Sequence, residues 1–293
     1  MKIKIPDELK SEVPQTFWGK ILTATPIIMT VVATALAGLA SSEMTRAQYS
    51  RSLAAQLQSK AGDQWGFFQA KRLRGAMQRS TLDLLQSTTE VKALDVTTLP
   101  QFIEPVTVAA LESGQVPDIG PAPVLAEPVK AALEAVVSAR PDGEVAQIVL
   151  AVKDEVLHDA VRAAKDRAAE LDQATQPVNQ ALEKLETALA GQPAARGFIV
   201  ARLRYTAARY DAEARLNQAV AHLYELQVRK SNLIAERHHQ RSQRFFYGML
   251  GAQAAVIIST FAIATRKRNL LWSLAAAAGT GAISFAIYVY LFV

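Results

Sequence analysis

The sequence predicts an all-α protein that combines three transmembrane helices with a long antiparallel, coiled-coil-like helical stalk. Charge-free apolar runs lie near both ends of the chain, and each is long enough to cross a bilayer as a helix. The stretch from 198 to 265 contains no proline and changes from a charged amphipathic pattern to an apolar one without a turn signal. Between the apolar runs, apolar residues repeat every three or four positions, as they do along a helical seam.

Composition and charge exclude several functional classes. Between Ser41 and Arg244 the chain carries 25 lysines and arginines against 24 acidic residues, so this part is nearly neutral and most of the net charge of +5 belongs to the flanks of the apolar runs. Because nucleic-acid binding needs a concentrated cationic surface, we expect no nucleic-acid partner. The absence of cysteine rules out disulfides, thiolate metal ligands and cysteine catalysis. We expect no cofactor.

The first part of the chain is predicted to be a polar tail over 1–16 and a first transmembrane helix over 17–40. The twenty residues from Ile21 to Ala40 carry no charge. The alternative is a cleaved signal peptide, with the small residues before Ser41 as its cleavage site. This apolar run, however, is longer than the apolar core of a typical signal peptide. We therefore predict an uncleaved anchor.

A membrane-proximal long helix is predicted over 41–90, and it contains a distinctive motif that we interpret as a helix contact. The motif residues are Gly62, Asp63, Gln64, Trp65, Gly66, Phe68, Gln69, Ala70 and Lys71. We expect Asp63 to form ordinary surface ion pairs with Lys60 and Lys71. A ligand site built on Asp63, Gln64 and Lys71 is the alternative interpretation.

Small residues in this motif repeat every four positions. Gly62, Gly66 and Ala70 would therefore share one helix face. Each interior glycine costs up to about 1 kcal/mol of helix stability, so two of them on one face suggest that a partner backbone presses against it. We expect Trp65 and Phe68 to flank this close contact.

The order of these segments resembles a known family. The chain has an apolar anchor, then Ser42-Glu43-Met44, a basic spacer, and Asp63-Gln64-Trp65 followed by two aromatic residues and Gln69-Ala70-Lys71. This order is similar to that of bacterial membrane proteins known as domain of unknown function 4337. In that family an N-terminal membrane helix precedes the Asp-Gln-Trp segment, and two further membrane helices close the chain. The resemblance implies a bacterial origin and a membrane location, and it implies no activity or catalytic residue.

Seven prolines divide the segment 91–143, which leaves 105–112 and 128–139 as short predicted helices. We interpret the segment as a strap that lies along the long helices or as a compact distal cap. A strap is favoured because the segment must return the chain toward the membrane, unless the first helix breaks at Gly62 or Gly75. A proline-rich ligand for a recognition module is a further alternative.

An antiparallel helical hairpin is predicted over 144–244, with a turn after Ala190 and an interruption or kink at Pro177. The seam of the first arm is predicted at Val145, Val149, Val152, Val156, Leu171, Ala174, Val178, Leu182, Leu185 and Leu189. The seam of the second arm is predicted at Ile199, Leu203, Tyr210, Leu223 and Ile234. In this register residue 157 faces about residue 229, and an acidic first arm faces a basic second arm.

The chain ends in a predicted membrane hairpin, with a second span over 245–265, a basic turn at 266–268 and a third span over 270–293. Long domains cross membranes largely regardless of charge, so the short basic turn and the tail should decide the orientation. We therefore expect a multi-pass protein of the bacterial inner membrane, with its stalk in the periplasm.

Two Glu-x-x-His pairs, Glu155 with His158 and Glu236 with His239, have the spacing that helical bundles use to hold two iron ions. To share a metal site, the second pair would have to lie opposite the first. In the predicted register it lies roughly 12 Å farther along the stalk, so we expect no metal site. We interpret the arginines and histidines at 236–244 as a band that faces solvent and lipid headgroups. No serine-histidine-aspartate arrangement or phosphate-binding glycine loop is recognisable.

These observations predict a non-catalytic scaffold or spacer that contacts membrane lipids and assembles into a homo-oligomer or joins another membrane protein. The alternative is an accessory subunit or a pore-forming component of a transport system. The predicted spans carry no charge, which argues against a path for ions or protons. We do not expect an enzyme.

Overall fold

The computed structural model describes residues 17–90, 94, 103–191, 194–264 and 268–292. Within these ranges the chain forms seven helices and no strand. The helices are α1 (Phe17–Thr88), α2 (Pro105–Ser113), α3 (Glu127–Val137), α4 (Asp142–Ala151), α5 (Asp154–Ala188), α6 (Ala195–Ala264) and α7 (Arg268–Phe292). Three predicted segments lie wholly or partly outside the described residues. They are the tail at 1–16, part of the segment 91–143, and the basic turn, of which only the start of α7 is described.

Three helices of the described chain, α1, α6 and α7, are long and apolar enough to cross a membrane, as judged by length and composition. This confirms the predicted all-α fold with three transmembrane helices and long antiparallel helices. The break considered at Gly62 or Gly75 does not occur, because α1 is continuous to Thr88.

The chain divides into two compact units. We call Met1–Ser52 with Asn232–Val293 the membrane unit, and Leu53–Ser231 the stalk unit. Both α1 and α6 contribute to each unit, whereas α2 to α5 belong to the stalk unit and α7 belongs to the membrane unit.

Small side chains bring the three helices of the membrane unit together. Ala33 of α1, Ala252 of α6 and Ala282 of α7 form one buried cluster. A Cβ atom added to Gly279 would lie 2.5 Å from the Met29 sulfur, so a larger residue there would displace the Met29 side chain. Without a hydrophobic driving force between helices in lipid, such close packing is what holds them together. Larger apolar side chains such as Ile27 remain 68% exposed, as suits contact with lipid.

The predicted seam of the first arm is confirmed at most positions in the stalk unit, whereas Val156 and Ala174 are only half-buried. Its buried residues are Val145, Val149, Val152, Leu171, Val178, Leu182, Leu185 and Leu189. Near the turn they form a core with α2 and the start of α6, and the cluster comprises Ala110, Leu111, Val178, Leu182, Leu185, Leu189, Phe198, Ala201 and Tyr205. The predicted seam of the second arm is wrong at Ile199, which is 39% exposed while Phe198 is 2% exposed. The ring of Phe198 fills the core directly after the turn in its place, whereas Leu203 and Leu223 are buried as predicted.

Cross-helix polar contacts confirm the predicted register. His158 of α5 hydrogen-bonds Gln227 of α6 at 3.2 Å between Nδ1 and Nε2. The ammonium of Lys230 binds the carboxylate of Asp154, close to the expected pairing of residue 157 with residue 229. The acidic first arm therefore does face a basic second arm at this point.

The first arm is not one continuous helix, because α4 ends at Ala151 and α5 begins at Asp154. At this break the buried ammonium of Lys230 donates to the backbone carbonyl of Val152 as well as to Asp154. This contact takes a carbonyl that a continuous helix would use and pairs a cation with Asp154 in the first turn of α5. By contrast, α5 continues through Pro177, which does not interrupt it.

The described part of the proline-rich segment follows the course of a strap. Its helix α2 packs on α5 near the hairpin turn, where Ala110 and Leu111 join the core. Arg167, halfway along α5, donates to the backbone carbonyls of Ile119 and Gly120. Farther on, α3 packs on α4 and on α5. The segment therefore runs antiparallel to α5 from one end of the stalk unit toward the other.

Tyr205 is fully buried in the core near the turn, and its hydroxyl has no hydrogen-bond partner among the described residues. Burial raises the pKa of Tyr205 to about 12, with the charge of Arg209 opposing the shift and that of Glu213 adding to it. Because the folded state holds this proton more tightly than the unfolded state, the stabilisation is intact below about pH 10 and is lost as the pH rises toward 12.

We predict that Tyr205→Phe reduces this alkaline loss of stability. Between pH 10 and 12 the wild type should lose on the order of 2 kcal/mol more than the variant. Near pH 8 the variant should be at least as stable, because it removes a buried hydroxyl that has no partner. Thermal unfolding followed by circular dichroism across this pH range measures both effects, and an equal alkaline loss in both proteins would contradict the assignment.

Candidate functional site

The motif segment of α1 packs against α6 within the stalk unit. The indole nitrogen of Trp65 donates a 2.7 Å hydrogen bond to the Glu225 carboxylate. The Trp65 ring also meets His222 of α6 edge-on at 5.0 Å and Phe68 of its own helix at 5.3 Å between centroids. A hydrogen bond to a charged, partly enclosed acceptor contributes about 1.5–3 kcal/mol, so Trp65 is a strong point of attachment between the two helices.

Two ion pairs continue this contact along the same pair of helices. The ammonium of Lys71 binds the carboxylate of Glu213 and also lies 5.5 Å from the centroid of the Tyr210 ring. The guanidinium of Arg79 binds the carboxylate of Asp211. Lys71 and Glu213 are mostly buried, with 29% and 13% of their side chains exposed, so solvent screens this pair less than it screens the one at Arg79.

Gly75 is the point of closest backbone approach in this contact. A Cβ atom added there would lie 3.2 Å from the Asp211 carboxylate, 3.4 Å from Cβ of Tyr210 and 3.6 Å from the carbonyl of Ala207. The glycine therefore lets α1 lie directly against α6 between the two ion pairs. From the sequence, Gly75 was considered only as a possible helix break. It lies four residues after Lys71 on the same face of α1, and this spacing was a signal that it contacts another helix.

We call this set of interactions the α1–α6 contact: Trp65, Phe68, Lys71, Gly75 and Arg79 on α1 with Asp211, Glu213, His222 and Glu225 on α6. It joins cations of α1 to carboxylates of α6. The predicted surface pair of Asp63 with Lys71 is wrong, because Lys71 turns toward Glu213 instead. For the same reason, Asp63, Gln64 and Lys71 do not come together as a ligand site.

The remaining motif residues lie mainly on the opposite, exposed side of α1. Gly62, Gly66 and Ala70 are exposed, and a Cβ atom added to either glycine would meet nothing within 4 Å. Trp65 and Phe68 do not flank this face as predicted, since they pack toward α6. Asp63 and Gln69 are also exposed, and Gln64 is half-buried. No described part of the chain covers the glycine face, so a close contact there stays a prediction about another chain.

A second polar cluster lies in the membrane unit, where α1 and α6 leave their apolar segments. The His238 ring nitrogen Nδ1 lies 2.6 Å from a carboxylate oxygen of the buried Glu43, whose other oxygen accepts a 3.2 Å hydrogen bond from Arg46. The Ser242 hydroxyl donates to the carbonyl of Ala40 at 2.7 Å. His238 was predicted to face solvent and lipid, but it turns inward because Glu43 supplies an acceptor between the helices.

The histidines of the two Glu-x-x-His pairs contact other side chains. His158 is engaged with Gln227, and His239 lies next to Gln243 with 3.0 Å between their side-chain nitrogens. In the part of the chain that the structure describes, no three histidine or acidic side chains come together as metal ligands.

Comparison with protein families gives one match. Residues 18–101 match the family described as "Domain of unknown function (DUF4337)". This confirms the resemblance inferred from the Asp-Gln-Trp segment, and the matched range contains the α1 side of the α1–α6 contact. The comparisons with curated proteins and with solved structures give no match.

We predict that Gly75→Leu destabilises the protein whereas Gly143→Leu does not. The leucine at position 75 would collide with Asp211, Tyr210 and Ala207, at a cost of about 1–3 kcal/mol. The leucine at position 143 meets open space and favours the helix by up to about 1 kcal/mol. Thermal unfolding of the two variants in the same detergent tests the contrast, and equal melting temperatures would show that α1 and α6 do not approach closely at Gly75.

Proposed function

We propose that this chain is a non-catalytic, membrane-anchored helical scaffold or spacer that assembles with copies of itself. The observation that carries the proposal is the face of α1 opposite the α1–α6 contact. Residues on this face recur every three or four positions from 55 to 84, and all are exposed and uncharged. They are Ala55, Ser59, Gly62, Gly66, Ala70, Leu73, Met77, Ser80 and Leu84, and we call them the outer stripe.

The chemistry of the outer stripe favours a helical partner over water. The outward face of a helix in water usually carries its charges, yet the seven charged residues between 55 and 84 all lie off this stripe. Its first half has small side chains that allow close approach of another helix. Its second half exposes large apolar side chains, with Leu73 at 64% and Met77 at 60%. A continuous apolar surface of this kind is typical of an interaction site.

A second copy of the chain is the partner that the stripe suits best. A symmetric contact would place the same stripe from each copy against the other and would cover both at once. Another membrane protein with a similar small-residue face is the alternative partner. In either case the membrane spans hold the chains in one plane, which raises their effective concentration for weak helix contacts.

A role as an accessory subunit or pore-forming component of a transport system is the second candidate function. It is motivated by the small residues that pack α1, α6 and α7 together, because spans of this kind can also pack around a pore. The described spans contain buried Ser259 but no charged residue between 23 and 40 or between 245 and 264, which favours the scaffold. Solute or ion flux through liposomes that contain the purified chain would support transport instead.

We further propose that the protein lies in a bacterial inner membrane with its stalk unit in the periplasm. The support is the short basic turn at 266–268, which should remain in the cytoplasm.

We predict that the gently extracted protein is a homo-oligomer and that the double variant Gly62→Leu/Gly66→Leu reduces its size. The two leucines would keep copies apart where close approach is needed, while each chain stays folded. Native mass spectrometry measures the number of copies. Gly143→Leu is the matched control, since it is also an exposed helical glycine with nothing within 4 Å of its added Cβ. A monomeric wild type, or a complex with a different protein, would contradict the homo-oligomer proposal.

We predict that a single cysteine at Val137 is labelled from outside intact spheroplasts by a maleimide that cannot cross membranes. Val137 is 74% exposed, and the natural chain has no cysteine, so the signal would come from this site alone. Labelling only after the cells are broken would place the stalk unit in the cytoplasm.

A further inference from the structure

A cleft of about 470 Å³ opens beside the α1–α6 contact in the stalk unit. Arg72 and Arg79 line it from α1, and Asp211, Arg215 and Gln218 line it from α6. Three guanidinium groups therefore surround a cavity that contains one carboxylate. The surrounding chain is nearly neutral, so this excess of positive charge is local to the cleft.

The single carboxylate is already engaged. Asp211 is bound by Arg79, which leaves the other two guanidinium groups without an acidic partner in the described part of the chain. Arg72 lies over the ring of Phe68, with its Cζ atom 5.7 Å from the centroid, and its N–H donors make no hydrogen bond to another described residue. Arg215 is exposed and forms no ion pair with a described residue.

The cleft also has room for a ligand. Ala76 and Ala214 line it with methyl groups only, which leaves space between the longer side chains. Its volume lies within the range of small-molecule sites. Arginine forks match the paired oxygens of a phosphate group, and two forks from different helices match a molecule with more than one such group.

We propose that this cleft binds a small soluble molecule that carries two or more phosphate groups, with Arg72 and Arg215 as its principal ligands. Because one arginine is on α1 and the other is on α6, the bound anion ties the two helices together. A lipid headgroup is the other source of phosphate. A soluble source is favoured because Phe68 lies 28 residues beyond Ala40, the last residue of the first apolar run.

Titration of the purified full-length chain in detergent with inorganic pyrophosphate tests this site. We expect saturable binding of one pyrophosphate per chain by calorimetry, and a rise in melting temperature. Arg72→Gln and Arg215→Gln should each weaken binding about tenfold or more, the loss expected when one charge-assisted contact is removed. Arg74→Gln is the matched control, because Arg74 is an exposed arginine two residues from Arg72 that does not line the cleft.

Three results would overturn the proposal. One is the absence of saturable binding at constant ionic strength. Another is an equal weakening by Arg74→Gln, which would indicate general attraction to a basic surface. Binding of phosphatidylglycerol vesicles that requires Arg72 and Arg215, in the absence of pyrophosphate binding, would assign the cleft to lipid and reject the soluble ligand. Circular dichroism of each variant confirms that a loss of binding is not a loss of folding.

Discussion

The α1–α6 contact is the interaction on which the stalk unit depends. Trp65, Lys71 and Arg79 each bind a different carboxylate of α6, so three separate attachments hold the two helices. A shift of α1 by one helical turn would break all three at once and would leave partly buried charges unpaired. Apolar packing alone allows such shifts more readily, because one small side chain can replace another. The polar attachments therefore specify a single register between the helices.

The membrane unit is held together by a different kind of packing. Alanine and glycine at some helix contacts allow close approach, Leu36, Phe245 and Val289 fill a second buried cluster, and other large apolar side chains such as Ile27 are exposed. Polar groups appear where the apolar runs end, in the pair of Glu43 with His238 and the hydrogen bond from Ser242 to Ala40. This order follows from the solvent, since a carboxylate is costly in hydrocarbon and is tolerated more easily where water and headgroups begin.

Much of the fold could be predicted because it depends on local periodicity. The spans followed from charge-free length, the seam of α5 from its valines and leucines, and the pairing near residues 157 and 229 from counting along the helices. The site was less accessible. Trp65 and Phe68 were recognised as contact residues, but the side of α1 on which they lie could not be read from one helix. That choice depends on Glu225 and Glu213, which are far away in sequence and resemble ordinary surface acids. The α1 partner of Asp211 was missed for the same reason.

The bend between α4 and α5 has a consequence for how the chain folds. Neither proline nor glycine marks the bend at Val152 and Lys153, and the group that stabilises it is the ammonium of Lys230, 78 residues farther along the chain. Local interactions form within microseconds, whereas a contact over such a separation must wait for a long loop to close. We therefore expect the division between α4 and α5 to form only after α6 has docked, so that one helix acts as the template that divides another.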